Sequence, residues 1–232
     1  MLVQLAVAIG LGARGLLEAE QLQLYHRACS AFAMRKDCAL SQEVRTQRAW
    51  TRITKWLGEN APSHAEAINP GVDQSMIDAA EEEMATAIPA ELRVWLLLNN
   101  GSTAKDVLEG SFYQPHPDSV FLPGNKVFLD LRQIVDVYRD FLAGGADWQP
   151  EWVPFAQLSD APYGYFLDTG AGSAQAPVMY FAEAAPPKLA FPSLADFLEA
   201  TANVLESGDG IRAHGNRVRC RPVTDAGVLR WI

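Results

Sequence analysis

The 232-residue chain is poor in the groups that chemistry on a substrate usually needs. Its four histidines, His26, His64, His116 and His214, lie on helical, loop and tail segments with no shared local context. Its three cysteines, Cys29, Cys38 and Cys220, are odd in number and form no CxxC pair. That argues against a disulfide framework or a zinc site and for a reducing compartment. No HExxH, GxSxG or P-loop spacing occurs, nor a Cys–His pair at a recognisable spacing. Positive charge is scarce: 19 Lys and Arg against 28 Asp and Glu leave a net −9. This balance disfavours a nucleic-acid backbone and favours a basic protein or peptide as partner. The apolar run Leu2 to Ile9 falls short of the ~20 residues a bilayer crossing takes. It also lacks the basic flank and small-residue cleavage site of a signal peptide. The expectation is a cytoplasmic protein with no metal, cofactor, nucleic acid or membrane partner.

What the chain does have is an ordinary globular composition, 49% apolar and 20% charged. That suits one large domain, or a domain with an appendage. Residues 1–40 read as an N-terminal extension, an apolar start and then a helix, and residues 41–232 as the domain proper. Inside the extension, Gly10-Leu-Gly12-Ala-Arg-Gly15 fits GxGxxG between an apolar run and a helix-like LLEAEQLQLYHRA. This is the local setting of a dinucleotide loop, and Asp37 stands at roughly the ~20-residue offset of a ribose-binding acid. A Rossmann unit needs further strand–helix repeats, however, and the chain goes straight into long helices. Two readings stand: a nucleotide-binding enzyme using Gly10–Gly15, or an apolar extension beside the domain, with Met34 as an alternative start.

The stretch Glu81 to Gly101, EEEMATAIPAELRVWLLLNNG, organises the rest. Pro89 suits a first helical turn, where its missing N–H costs nothing, and it pushes Ile88 toward extended geometry, closing the helix before it. Leu92, Trp95, Leu96 and Leu98 or Asn99 recur at helical spacing, with a core ridge from Val94 to Leu98, and Asn100-Gly101 reads as a left-handed stop. Upstream, Ser41 is expected to cap a helix through Leu57, with Val44, Ala49, Ile53, Trp56 and Leu57 inward and Gly58 as its stop. Asn60 to Gly71 reads as a loop, and Asp73 as the cap of the helix that runs into Glu83. The carboxylates of Glu81, Glu82 and Glu83 point about 100° apart on a helix, so they read as a solvated face rather than a converging cluster. Downstream, Ser119–Leu122, Lys126–Leu129, Tyr163–Asp168, Val178–Ala182 and Lys188–Phe191 are expected strands. Helices follow Asp130 and Ser193 and stop near Gly144 and Gly208. Helices first, strands after and no βαβ alternation specify an α+β fold.

In order and spacing, Glu81, Met84, Ile88-Pro89, Glu91-Leu92 and Asn100-Gly101 resemble the signature of the Knr/Smi family. This is the SUKH superfamily of immunity proteins and fungal cell-wall synthesis regulators. Ala85, at the fourth position after Glu81, stands where the family usually has glycine. The later segments WQPEWVPF, GYFLD and FPSL, the helix after them and the closing Val223–Ile232 are similar to the family in order, so the resemblance runs from about Val44 onward. It implies a twisted, mostly antiparallel sheet with helices packed against it. It also implies a non-catalytic, protein-binding role: an immunity-type protein that masks a cognate toxin, or a regulatory or scaffold module that binds a cellular protein.

The expected partner surface is the segment from Asp160 to Asp168. Strand alternation puts Tyr163, Tyr165 and Leu167 on one face, where the tyrosines can serve as rigid anchors while Asp160 and Asp168 steer a basic partner. The competing reading makes the two aspartates turn residues that bound a strand. Arg212, Arg217, Arg219 and Arg221 read as a strand edge protected by charge.

Overall fold

The first described helix, α1 (residues 42–60), turns Ala49, Trp50, Ile53 and Leu57 into the core, with Trp56 at the core's margin. This is a computed structural model, and it describes residues 42–102, 117–144, 148–158, 161–172, 175–183, 185–213 and 218–232. The expected extension 1–40, the Gly10–Gly15 loop and the Ser41 cap lie outside those residues. Val44 is exposed rather than inward, and Gly58 sits inside the helix instead of ending it. The expected loop from Asn60 to Gly71 is more ordered than its prolines suggest. Pro62 opens a short helix α2 (Pro62–Glu66), as its fixed φ allows, and strand β1 (Ile68–Pro70) follows.

Helix α3 (Gln74–Met84) begins after Asp73, whose side chain makes no cap bond. It ends on Ala85 in the left-handed region, at φ 52°. The Ala85 N–H donates to the Glu82 carbonyl and the Thr86 N–H to that of Glu81, both at 3.3 Å, which closes a Schellman turn. Pro89 precedes α4 (Ala90–Leu98), which buries Glu91, Leu92, Trp95 and Leu96. The expected left-handed stop after α4 is not there. Asn99 is extended, and the chain passes directly into β2 (Asn99–Ser102), antiparallel to β1. Gly101 does have φ +72°, for another reason: a Cβ there would lie 2.5 Å from the Asp130 backbone nitrogen. The glycine permits a close chain crossing.

The main sheet has five antiparallel strands in chain order: β3 (Val127–Phe128), β4 (Trp152–Leu158), β5 (Ala161–Asp168), β6 (Val178–Ala182) and β7 (Ala185–Phe191). The Ser119–Leu122 strand is absent; a 3-10 turn (Pro117–Ser119) and an isolated Leu122–Lys126 bridge stand there. Helix α5 (Leu131–Ala143) starts with a complete capping box, Asp130 accepting from the Gln133 N–H at 2.7 Å and Gln133 returning the bond at 2.9 Å. Helix α6 (Leu194–Ser207) is capped by Ser193 and stopped by Gly208 at φ 73°. Two hairpins follow, β8 (Ile211–Ala213) with β9 (Val218–Cys220), and β10 (Pro222–Asp225) with β11 (Val228–Trp231). Every pairing among the described residues is antiparallel, and the fold is α+β.

The large core centres on Trp95, stacked on Phe128 at 3.7 Å and edge-on to Trp50 at 5.5 Å. Phe155, Tyr165, Leu167 and Val178 reach it from the sheet, and Phe197 from α6. Residues of opposite strand parity build a smaller cluster of Trp148, Phe166 and Phe181, flanked by Phe141, Trp152 and Met179. Gly164 lies opposite Phe181, and a Cβ there would come within 2.8 Å of the Phe181 ring, so glycine leaves the ring its place. Both sides of the sheet are therefore packed around Tyr165 and Phe166.

Candidate partner-binding surface

The glutamates that stand out in the sequence serve the fold. Glu81 was expected on a solvated face. Instead its Oε1 accepts the Ile88 N–H at 2.7 Å and the guanidinium of Arg93, clamping the turn between α3 and α4. Glu83 pairs with Arg132 and Arg139 of α5, and Glu82 alone of the three is simply exposed. Glu91, only 7% exposed, directs Oε2 at the first N–H groups of α6, those of Leu194 at 2.9 Å and Ala195 at 3.2 Å. A helix N-terminus has unpaired N–H groups and a positive dipole end, so a carboxylate fits there. Burial nevertheless pushes the Glu91 pKa up, and the two backbone bonds offset part of that rise.

The predicted anchor pair is divided. Tyr165 is 0% exposed, with its ring 5.3 Å from Phe197, 5.8 Å from Tyr180 and 6.2 Å from Phe155. It is a core residue and offers nothing to a partner, because α6 covers this part of the sheet. Asp160 lies outside the described residues. The Oδ1 of Asp168 accepts the Gly170 N–H at 3.0 Å, as an aspartate at the start of a turn does. Tyr163 remains, half-buried on the same face as Tyr165.

The sheet register supplies neighbours that the linear sequence did not indicate. Tyr180 stands opposite Tyr165, and Lys188 opposite Tyr180. Tyr163, Tyr180 and Lys188 thus share one face of three adjacent strands, each partly exposed. Burial raises the Tyr180 pKa, and the nearby Tyr163 adds to the rise. Tyr180, its pKa raised, is neutral at physiological pH, and together with Tyr163 it presents aromatic surface and hydroxyl groups beside Lys188. That combination suits binding a protein surface, where Tyr anchors carry much of the energy. On the opposite side of the sheet Leu189, 56% exposed, faces Met179 across β6 and β7.

Among the described residues no group of three or more His, Cys, Asp and Glu side chains could hold a metal ion. Lys126 and Cys220 form a buried titratable pair. Lys126 is 1% exposed and its Nζ donates to the Gly124 carbonyl at 2.8 Å. Burial lowers its pKa to about 8, and the same effect raises that of Cys220, a free thiol. Among the described residues no helix is long and apolar enough to cross a membrane.

Residues 71–200 match the model of the SMI1 / KNR4 family (SUKH-1). The match spans more than half of the chain and runs from Gly71, before α3, into α6. No curated protein matches the chain.

Proposed function

Because this chain belongs to the SMI1/KNR4 family (SUKH-1), we propose that it is a non-catalytic protein-binding domain of the immunity type, which masks a cognate toxin. The observation that carries the reading is the match over residues 71–200, in a superfamily that includes immunity proteins. The geometry is in keeping with it. The signature glutamates Glu81 and Glu91 close turns and helix ends, and the exposed and partly exposed side chains of the sheet include Tyr163, Tyr180 and Leu189, suited to covering a surface. Masking needs a few anchors on a firm support, here Tyr163 with Tyr180 and Lys188 on the five-stranded sheet. A chain of net −9 is drawn electrostatically to a basic partner.

The test is capture of the partner from the native cell, followed by titration calorimetry with wild type and Tyr163→Ala. The variant should lose ~2 kcal/mol or more of affinity, as a hot-spot truncation does, with its melting temperature unchanged. Equal affinities would remove Tyr163 from the interface. A captured cellular protein with no toxic activity would replace immunity by a regulatory or scaffold role.

A further inference from the structure

Charge is divided unevenly along the chain. Residues 208–232 hold five arginines against Asp209 and Asp225, a local +3 that leaves −12 on residues 1–207. Four of those arginines share one outward face. Arg212 and Arg219 are direct cross-strand partners in β8–β9, while the adjacent pair, Ile211 and Cys220, is buried. Arg221 lies two positions beyond Arg219 and exchanges both backbone hydrogen bonds with Ile232, at 2.9 and 3.1 Å. Arg230, two positions before Ile232, therefore faces the same way, between buried Leu229 and Trp231.

Among the described residues these side chains have no counter-charge. Arg45, Arg52, Arg93, Arg132 and Arg139 each hold an Asp or Glu. Among the described residues no ion pair holds Arg212, Arg219, Arg221 or Arg230. Like charges placed directly opposite one another destabilise a hairpin, so the Arg212–Arg219 pair works against folding.

We infer that this face is a docking surface for an acidic protein segment, a short run of Asp and Glu side chains. Guanidinium groups match carboxylates fork to fork, and four in one place can take several at once. A short acidic segment ends where the patch ends. A nucleic acid continues past it and meets the −12 carried by the rest of the chain. The surface is built from strands other than those bearing Tyr163, Tyr180 and Lys188, so it stands or falls independently of that face.

Fluorescence anisotropy with a labelled Asp/Glu-rich peptide and the full chain tests this, beside a single-stranded oligonucleotide of equal charge. The wild type should bind the peptide saturably and more weakly as salt rises. Arg212→Gln with Arg219→Gln should lose roughly tenfold or more in affinity, as removal of charge-assisted bonds does, while the melting temperature holds or rises. Arg230→Gln should weaken binding by a smaller factor, and Arg48→Gln on α1 should leave it unchanged. The inference is overturned if the wild type does not bind the peptide, if the oligonucleotide binds tighter, or if all three arginine variants of the patch retain full affinity.

Discussion

Replacing Lys126 by methionine should stabilise the protein at neutral pH. The side chain is 1% exposed, and burial holds its pKa at about 8 instead of the ordinary 10.5. At ~1.4 kcal/mol per pKa unit, keeping the ammonium charged inside costs roughly 3 kcal/mol. Methionine fills a similar length without charge but forfeits the Nζ bond to the Gly124 carbonyl, worth ~1 kcal/mol. The net gain at pH 7 is then ~1–3 kcal/mol. Its pH dependence carries a definite sign. The folded pKa lies below the unfolded one, so between about 8 and 10.5 the unfolded chain binds the proton more tightly. The contribution of Lys126 is fully present above the unfolded value and is lost as pH falls toward about 8. Urea unfolding of both proteins from neutral pH up to the lysine range should therefore show the advantage of Lys126→Met shrinking as pH rises. Cys220, with its pKa raised by burial, contributes the opposite slope in both proteins, and the difference between them removes most of it. A variant no more stable at pH 7, or an advantage that stays constant with pH, would refute a charged lysine held in the core.

The left-handed Ala85 gives a second handle: Ala85→Gly should add ~0.5–1 kcal/mol in urea unfolding, because relief of the positive φ outweighs the entropy of the freer glycine and the exposed methyl packs on nothing. A loss of stability would mean that the turn is not strained. Trp95→Ala should cost ~3–5 kcal/mol, since it removes the ring stacked on Phe128 at the centre of the core. A melting temperature unchanged within error would place Trp95 outside that core. For Glu91 the folded pKa is raised, so its contribution is fully present below the ordinary carboxylate range and is lost as pH rises through the raised value. Glu91→Gln should flatten that decline in a pH series, and an identical pH profile would show that Glu91 ionises as freely as an exposed carboxylate.

The elements governed by short-range rules were legible in the sequence. Asp130, Ser193 and Gly208 mark their helix ends by local hydrogen bonds and a local φ, and the structure has each of them. Strand β6 falls on the expected Val178–Ala182. What failed depended on distant neighbours. Gly101 looked like a helix stop, but its φ answers to Asp130, far away in sequence. Glu81 looked solvated because the partner that orders it, Arg93, arrives only when α4 folds back on α3. Tyr165 fits the alternation of an exposed strand face as well as that of a buried one, since alternation separates two faces without saying which is covered. Both faces are covered here, one by the core around Phe197 and the other by the Trp148 cluster. Tyr180 and Lys188 join Tyr163 only through a register that runs across three strands, and no local motif encodes that.

The residues that give the chain its family likeness are the ones least able to choose a partner. Glu81 and Glu91 are occupied by backbone N–H groups, Pro89 and Gly101 set backbone path, and Met84 and Leu92 are enclosed. A substitution at any of these acts first on the fold, so the signature constrains architecture, and under the proposed function recognition falls to side chains outside it. Those side chains differ in chemistry from one surface to another. Tyr163, Tyr180 and Lys188 offer aromatic area on a sheet, whereas Arg212, Arg219, Arg221 and Arg230 offer positive charge that no described carboxylate pairs, on a chain that is otherwise strongly acidic. Aromatic area contributes mainly to how long a complex lasts, and concentrated charge to how fast and in which orientation it forms. Changes at the tyrosine face should therefore act on dissociation with little salt dependence. Changes at the arginine face should act on association and fade as salt is raised, so stopped-flow kinetics at two ionic strengths can separate the two surfaces even if one partner spans both.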